Sequence, residues 1–469
     1  MRVPTIRHGV YACLVLVPLL LSVVSGVRPY DTARIAQLGL ALICAVALTS
    51  PSATARPLGV WSAGTVAGAI GAVVLGLAST ALAAVPSMAW REVAVIAGCL
   101  CIAAIVARHQ GRRDEFVRTV VVASLLYVTV VWLLVAAIHV SGQPLERAEL
   151  FVGYDNYRFF NHVQTVALPL LALGTALSAS GRRWRAAAAA ALVGGYALLI
   201  ATGGRATLMA LGVGFGSAVL LFGRAAWPLL RATVFAAIAA ALLYVLAFGV
   251  LPAWTGATPD AAEAYHGARE SSVHARYYLW DIALQQVARS PWLGVGPMHF
   301  AHEVNLKAAH PHNVYLQVAA EWGLPMLALL LVAAVLGLRR LAAAARRSSD
   351  MPFRLEGIAL LTTWIAIAVD GAFSGNFVMP VSQVWIAFVG GWTVAWMRGT
   401  QADADAAPIR HGVELVRRPL PWIALLLLVW LLWEIAPEVR DLRQHLQVQI
   451  ERFPPSPRLS PRFWVHGWF

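Results

Sequence analysis

Charged residues are scarce in this chain: they make up 13% of its 469 residues, whereas hydrophobic residues make up 59%. So small a share of charge excludes an ordinary soluble domain. The four cysteines, Cys13, Cys44, Cys99 and Cys101, all lie in apolar runs. Their spacing is not that of zinc ligands, so we interpret them as packing residues. The first apolar run also lacks a small-residue cleavage site, which favours a membrane helix over a cleaved signal.

Apolar runs long enough to cross a bilayer recur along the whole chain. They predict an all-α polytopic membrane protein with 12–13 transmembrane helices, near residues 9–26, 34–50, 59–84, 90–107, 116–140, 163–180, 186–202, 205–223, 232–252, 314–337, 355–373, 378–397 and 419–436. We expect transmembrane helices over 1–252, a large outer loop over 253–313, transmembrane helices over 314–436 and an outer tail over 437–469. In that tail, an amphipathic helix is expected before a proline-rich and aromatic strip that lies on the surface.

The arginines predict the orientation. With a cytoplasmic N-terminus, twenty arginines fall in cytoplasmic loops and six in outer loops, namely Arg28, Arg34, Arg91, Arg147, Arg158 and Arg205. The positive-inside rule favours this arrangement, which places the large loop and the tail outside the cytoplasm. These arginines account for most of the net charge of +13. Because it is scattered over short loops, we expect no nucleic-acid partner.

Three outer segments carry polar side chains close to predicted spans. Residues 154–165 include Arg158, Asn161 and His162. They indicate either a wet cavity at a helix mouth or an interfacial belt in which Asn and His cap a helix. At another outer end, Asp370 is expected to pair with an arginine or to cap a loop.

Arg205 follows a tight turn at Thr202, where its guanidinium either reaches the lipid headgroups or binds phosphate.

The loop over 253–313 is long for a connection between helices, which favours a functional role. Residues 276–288 predict an amphipathic helix with Tyr277, Trp280, Leu284 and Val287 along one face, lying in the membrane interface. Arg276, at its start, faces either solvent or a phosphate near the membrane. The Gly- and Pro-rich residues 290–297 end this helix.

Two histidines, His310 and His312, stand directly before the span predicted over 314–337. Ionisable groups at membrane depth usually mark a functional site. Pro311 disfavours helix at His310, which places that residue outside the span. Glu321 follows His312 by nine residues and so falls on the opposite face of a straight helix. We therefore interpret Glu321 as structural, while Gly323 and its neighbours predict a distorted helix.

These pieces together resemble one family. The Thr-x-x-Arg turn, the Arg…Trp…Pro-x-Leu-Gly-Val-Gly stretch and the His-Asn-x-Tyr-Leu…Glu-x-Gly-Leu-Pro stretch are similar to the core of the bacterial O-antigen ligase/polymerase superfamily. The resemblance covers about residues 200–340 and, more loosely, 154–170. It implies a GT-C-like membrane enzyme of the bacterial inner membrane, with its active site facing the periplasm and an undecaprenyl-pyrophosphate-linked glycan as donor.

The resemblance also implies roles for individual residues. Arg205 and Arg276 would hold the donor pyrophosphate and stabilise the charge that develops on it. His312 would accept the proton of the acceptor hydroxyl or position that hydroxyl, with inversion at the sugar carbon and without a metal or other cofactor. In a purely structural alternative, His312 only caps a helix. Residues that contribute to substrate binding or to structure are expected to be Arg158, Asn161, His162, His310, Asn313 and Glu321.

The sequence leaves the acceptor open. Lipid A–core would make the protein an O-antigen ligase, a second lipid-linked repeat would make it a polymerase, and a protein hydroxyl would make it an O-oligosaccharyltransferase. The modest chain length favours the ligase, whereas the paired histidines and residues 158–162 favour the protein-modifying enzyme. Membrane lipids are partners in each case. A transporter of lipid-linked glycan is the alternative of a different class, but the polar residues gather on one side of the membrane and no inverted repeat is evident.

Overall fold

The structure confirms the all-α membrane fold. It is a computed structural model that describes residues 27–50, 63–108, 113–143, 150–177, 181–255, 263–305, 307–399, 419–453 and 459–469, and for 263–273 the backbone alone. The α-helices in these ranges are α1 (Pro29–Thr49), α2 (Ala63–Ala81), α3 (Pro86–Ala107), α4 (Arg113–Ser141), α5 (Tyr157–Ala176), α6 (Arg182–Ala201), α7 (Arg205–Phe222), α8 (Trp227–Val245), α9 (Leu251–Thr255), α10 (Glu263–Arg289), α11 (Val314–Trp322), α12 (Leu324–Arg347), α13 (Met351–Gly371), α14 (Pro380–Gly399), α15 (Leu420–Arg440) and α16 (Leu442–Arg452).

Every predicted span that falls in the described ranges coincides with helix, while the span predicted over 9–26 lies outside the described residues. Nine helical runs in the described part are long and apolar enough to cross a membrane, and one of them, Arg205–Thr255, contains two predicted spans. Helices α5 and α14 are each 20 residues long. They are not among the nine because polar and tryptophan side chains lower their mean hydropathy.

The chain divides into two compact units. Among the described residues, the first unit comprises those within 112–273 and 338–376. Within it, α13 packs against α5 and α7, and α6 packs against α5 and α8. A Cβ at Gly214 of α7 would lie 2.8 Å from the carbonyl oxygen of Thr362 in α13. The absence of a side chain at Gly214 therefore allows these two helices to approach closely, as is common in membrane proteins.

The second unit comprises Gly26–Gly111, His274–Gly337 and Phe377–Phe469. Its central helix is α3, which packs against α1, α14 and α15, while α11 packs against α2. Here too a glycine permits a close approach: a Cβ at Gly391 of α14 would meet the carbonyl oxygen of Ala103 in α3.

The amphipathic helix predicted in the large loop is present as part of α10, and the placement of its apolar face in the membrane interface stays a prediction. Tyr277 and Leu284 are exposed, whereas Leu279 and Ala283 are buried. The buried face packs against a cluster that includes Phe300 of the following turns. Apolar side chains occur all round this helix, so their spacing does not identify the face that packs against the protein. Small residues such as Ala283 allow that face to approach its neighbours.

The span predicted over 314–337 is broken at Gly323, where α11 ends and α12 begins. Gly323 has φ of +85°, and a Cβ there would meet the carbonyl of Trp292. The loop before α11 donates hydrogen bonds to the end of α11, with Val295 N 2.8 Å from Ala320 O. The Pro-x-Leu-Gly-Val-Gly stretch and the Glu-x-Gly-Leu-Pro stretch are therefore structural partners, packed backbone to backbone.

The C-terminal tail differs from its prediction. Helix α16 is present, and residues 454–458 of the predicted proline-rich strip lie outside the described residues. The aromatic end was expected on the surface, but Phe463, Trp464 and Trp468 are each only 4% exposed. These residues are buried because the tail packs among the helices of the second unit.

Replacement of Gly323 tests the importance of the break. Gly323→Ala should lower the free energy of unfolding by about 2 kcal/mol or more, because a side chain is strained at this φ and meets backbone atoms. Thermal unfolding of the purified protein in detergent measures the effect. Gly337→Ala in α12 is the matched control, since no heavy atom lies within 4 Å of its added Cβ. Equal unfolding temperatures for the two variants would contradict the role of Gly323.

Candidate functional site

In the first unit, the start of α5 supports the turn before α7. The side-chain oxygen of Asn161 accepts a hydrogen bond from the Thr202 hydroxyl at 2.8 Å. Its backbone carbonyl accepts one from the Thr207 hydroxyl at 3.3 Å. A Cβ at Gly204 would lie 2.7 Å from the amide nitrogen of Asn161. Asn161 therefore fixes the backbone of the turn that ends in Arg205.

Arg205 is the first residue of α7, and its side chain is exposed. Its guanidinium makes no hydrogen bond or ion pair with the residues that the structure describes. The N-terminus of α7 has no side-chain cap. A helix N-terminus carries partial positive charge, so this turn offers backbone donors and a guanidinium to an anion. Arg158 is also exposed, and its guanidinium lies 5.9 Å from the centre of the Tyr157 ring.

His162 points into the first unit rather than to an open helix mouth. It is 7% exposed, and its Nδ1 lies 3.4 Å from Oδ2 of Asp370. Asp370 is fully buried and accepts a hydrogen bond from the Ser374 hydroxyl at 2.9 Å. Among the described residues no arginine pairs with Asp370, whereas its hydrogen bond from Ser374, in the loop after α13, agrees with the expected loop cap. Neither Asn161 nor His162 caps α5; Asn156 does so, accepting from the backbone N–H of Arg158.

In the second unit, His312 has an unusual backbone conformation. Its φ is +52°, in the left-handed region that side-chain-bearing residues rarely adopt, and its side chain is half-buried. Such strained residues cluster at functional sites. The cap of α11 is Asn313, whose side-chain oxygen accepts from the backbone N–H groups of Tyr315 and Leu316 at 3.0 Å. The alternative in which His312 is the helix cap is therefore wrong.

His310 differs from His312 in its surroundings. It is 1% exposed, and its Nδ1 lies 3.2 Å from the carbonyl oxygen of Pro461. The centres of the two imidazole rings are 4.1 Å apart. His310 is therefore buried, and its imidazole packs beside that of the half-buried His312.

Helix α10 contacts the same turn. The Trp280 indole N–H donates to the carbonyl oxygen of Pro311 at 3.1 Å. Arg276 is half-buried and lies one helical turn before Trp280. Residues four apart share a helix face. The structure therefore places Arg276 and His312 at the same end of the second unit.

Glu321 lies inside the second unit and is bonded to other parts of the protein. It is fully buried, and its Oε2 lies 2.6 Å from Nη2 of Arg462. Its Oε1 accepts a hydrogen bond from the backbone N–H of Phe300 at 3.1 Å. Arg462 was not among the residues singled out in the sequence. No local signal identifies it, because its partner lies 141 residues earlier.

His299 is a second buried group that sequence reasoning missed. Its Nδ1 donates to the carbonyl oxygen of Pro297 at 2.8 Å, and its Nε2 accepts from the backbone N–H of Val85 at 2.9 Å. Burial lowers the pKa of His299. These contacts keep the imidazole neutral and structural. In the described part of the chain, no group of three or more His, Cys, Asp or Glu side chains could hold a metal ion.

An apolar groove runs along α7 in the first unit. It begins at Leu208, one helical turn after Arg205, and continues past Gly212 and Gly216 to Leu220. Side chains of α6 and α8, including Tyr196, complete its walls. The groove is open, and a Cβ at Gly212 or Gly216 would have no heavy atom within 4 Å. Its shape and lining suit a flexible hydrocarbon chain.

Residues 188–331 match the family model described as O-antigen ligase. This segment, which is less than a third of the chain, is similar to the O-antigen ligase family. This finding confirms the resemblance to the ligase/polymerase superfamily. No curated protein matches the chain.

The matched O-antigen ligase segment begins in α6 and ends in α12. It contains Arg205, Arg276 and His312, together with Glu321. It does not include the polar start of α5 or Arg462. The support for the Arg205 turn and the partner of Glu321 therefore come from parts of the chain that only the tertiary structure brings to this segment.

Proposed function

We propose that this protein is an O-antigen ligase that transfers a glycan from undecaprenyl pyrophosphate to a hydroxyl of lipid A–core. The family domain supports glycan transfer with a lipid-linked substrate. We choose His312 as the reacting group because its backbone is in the left-handed region and its side chain is half-buried. The distribution of arginine supports an active site on the periplasmic face of the bacterial inner membrane.

The proposed reaction is a single displacement. The acceptor hydroxyl oxygen attacks the anomeric carbon while the bond from that carbon to the pyrophosphate oxygen breaks, so the sugar inverts. The neutral imidazole of His312 accepts the hydroxyl proton. The electron pair of the broken bond remains on the pyrophosphate, whose negative charge increases.

Arginines are suited to that developing charge. In the first unit, the exposed guanidinium of Arg205 and the N-terminus of α7 offer hydrogen-bond donors to phosphate oxygens. In the second unit, Arg276 lies at the end that carries His312. Guanidinium groups bind phosphate oxygens through two parallel N–H donors, which fixes orientation as well as charge. We therefore assign pyrophosphate binding to each of these arginines.

A reconstituted transfer assay tests the proposal. The protein in nanodiscs would receive the undecaprenyl-pyrophosphate O-antigen donor alone, with rough lipopolysaccharide, or with a pilin. We expect product only with rough lipopolysaccharide, read by gel and mass spectrometry. A ladder from donor alone would indicate a polymerase, and a mass shift on pilin a protein glycosyltransferase. Donor movement across vesicles without any product would indicate a transporter.

Substitutions separate the proposed roles. His312→Ala should lower kcat at least about 100-fold, the scale of general-base catalysis, whereas His310→Ala should have a milder effect. Arg205→Ala and Arg276→Ala should each weaken use of the donor about tenfold or more, because each loses charge-assisted hydrogen bonds to phosphate. Steady-state kinetics at fixed acceptor measures these effects. A larger loss from His310→Ala than from His312→Ala would show that His312 is not the reacting histidine.

The groove along α7 provides a test with the lipid part of the donor. If it holds the polyprenyl chain, Gly216→Phe fills it and should raise KM for the undecaprenyl donor about tenfold, equivalent to about 1.4 kcal/mol. A donor with a short polyprenyl chain should be affected much less. Gly337→Phe is the matched control at an exposed glycine of α12. Equal KM increases for the long and short donors would exclude the groove as the chain site.

A further inference from the structure

The last residues of the chain form a compact loop. The backbone N–H of Ser460 donates to Val465 O at 3.2 Å, and that of Gly467 donates to Ser460 O at 2.9 Å. Within this loop, the backbone N–H of Arg462 donates to Trp464 O at 2.9 Å. The result is a folded segment with Arg462 near its tip, rather than an extended end.

Helix α1 holds this loop through its backbone. The Tyr30 hydroxyl and Nη2 of Arg34 both donate to the carbonyl oxygen of Arg462, at 2.5 and 3.0 Å. Asp31 accepts from the backbone N–H of Val465 at 2.7 Å. These three side chains are at most 4% exposed. A buried cluster of polar groups at the start of a membrane helix is therefore satisfied by the tail.

Helices α3 and α15 hold its aromatic side chains. The Trp464 indole N–H donates to Glu438 at 2.6 Å, and the same carboxylate accepts from Arg91 at 2.9 Å. The Arg91 guanidinium lies 5.1 Å from the centre of the Phe463 ring. Arg34 and Arg91 had been counted as arginines of outer loops. In the structure they hold the tail within the second unit.

Two consecutive residues of the tail contact the two ends of the segment that carries His312. The carbonyl oxygen of Pro461 faces Nδ1 of His310 at 3.2 Å, in the loop that leads to α11. The guanidinium of Arg462 pairs with Glu321 near the end of α11. Helix α11 is nine residues long. The tail therefore contacts both the loop that precedes this short helix and its last turn.

We propose that the C-terminal segment Ser460–Trp468 positions His312 for catalysis, with Pro461 holding His310 and Arg462 holding Glu321. This inference rests on the proposed function, in which His312 accepts the acceptor proton. Arg462 and His310 act here as positioning residues, because their polar contacts are with the protein itself.

The physical reason lies in the backbone of His312. A strained conformation persists only where its surroundings fix it on several sides. Trp280 fixes the preceding carbonyl, Asn313 caps the following helix, and the tail contacts His310 before α11 and Glu321 in its last turn. A shift of about 1 Å in a reacting group can lower a rate about 100-fold without loss of the fold.

A double substitution separates positioning from stability in the full-length protein. Glu321→Gln with Arg462→Met removes both charges of the buried pair, and Glu92, whose Oε1 lies 3.7 Å from Nη2 of Arg462, keeps 18% of its side chain exposed to solvent, so the protein should still fold. We expect kcat to fall at least about 30-fold, with the donor KM changed less than about twofold, because α11 loses its connection to the tail. Thermal unfolding and gel filtration monitor the fold. A kcat within about threefold of wild type would overturn the proposal.

Variants at His310 provide a test that leaves the ion pair intact. His310→Asn keeps a side-chain N–H that can donate to Pro461, whereas His310→Leu does not. We expect kcat to be about tenfold higher for Asn than for Leu, with equal donor KM. His302→Leu is the matched control, since His302 Nδ1 lies 3.0 Å from the tail carbonyl of Phe469 but outside the His310–Glu321 segment. Its kcat should remain at the wild-type level.

The outcomes distinguish this inference from the function on which it rests. Equal kcat for the Asn and Leu variants, or a loss with His302→Leu as large as with His310→Leu, would overturn the positioning role alone. Absence of transfer by the wild-type protein with every acceptor would instead overturn the proposed function.

Discussion

The ion pair between Glu321 and Arg462 is the interaction on which the second unit depends. Both side chains are almost completely buried, so neither charge can be left alone without a large loss of stability. The pair fixes the end of α11 and secures the tail. Around it, the hydroxyl of Tyr30 and the guanidinium of Arg34 bind the backbone of Arg462. One buried pair thus links the family segment to residues far away in the chain.

Close backbone packing provides the second constraint. The glycines at 294, 296 and 323 all have positive φ, and the added Cβ of Gly294 or Gly323 would meet backbone atoms of the other stretch. The motifs that resemble the O-antigen ligase family are therefore partly structural. Their spacing brings the loop after α10 against the break between α11 and α12. This packing leaves His312 half-buried next to the buried His310.

The two arginines proposed to bind pyrophosphate differ in their local structure and exposure. Arg205 stands exposed at the uncapped start of α7, on a turn that Asn161 supports. Arg276 lies on α10, one turn before the tryptophan that holds the histidine turn. The apolar groove that begins after Arg205 gives the first unit a place for a hydrocarbon chain close to a cationic group. These features together support a lipid-linked anionic donor.

The sequence by itself determined the membrane class, nearly all the helices and the distortion at Gly323, because hydropathy, helical periodicity and glycine are local signals. The tertiary structure alone decided which face of α10 is buried, that His162 lies beside the buried Asp370, and that the aromatic tail is internal. It also supplied Arg462 as the partner of Glu321. Such partners can lie more than a hundred residues apart in the sequence, so no local pattern predicts which buried charged side chains contact each other.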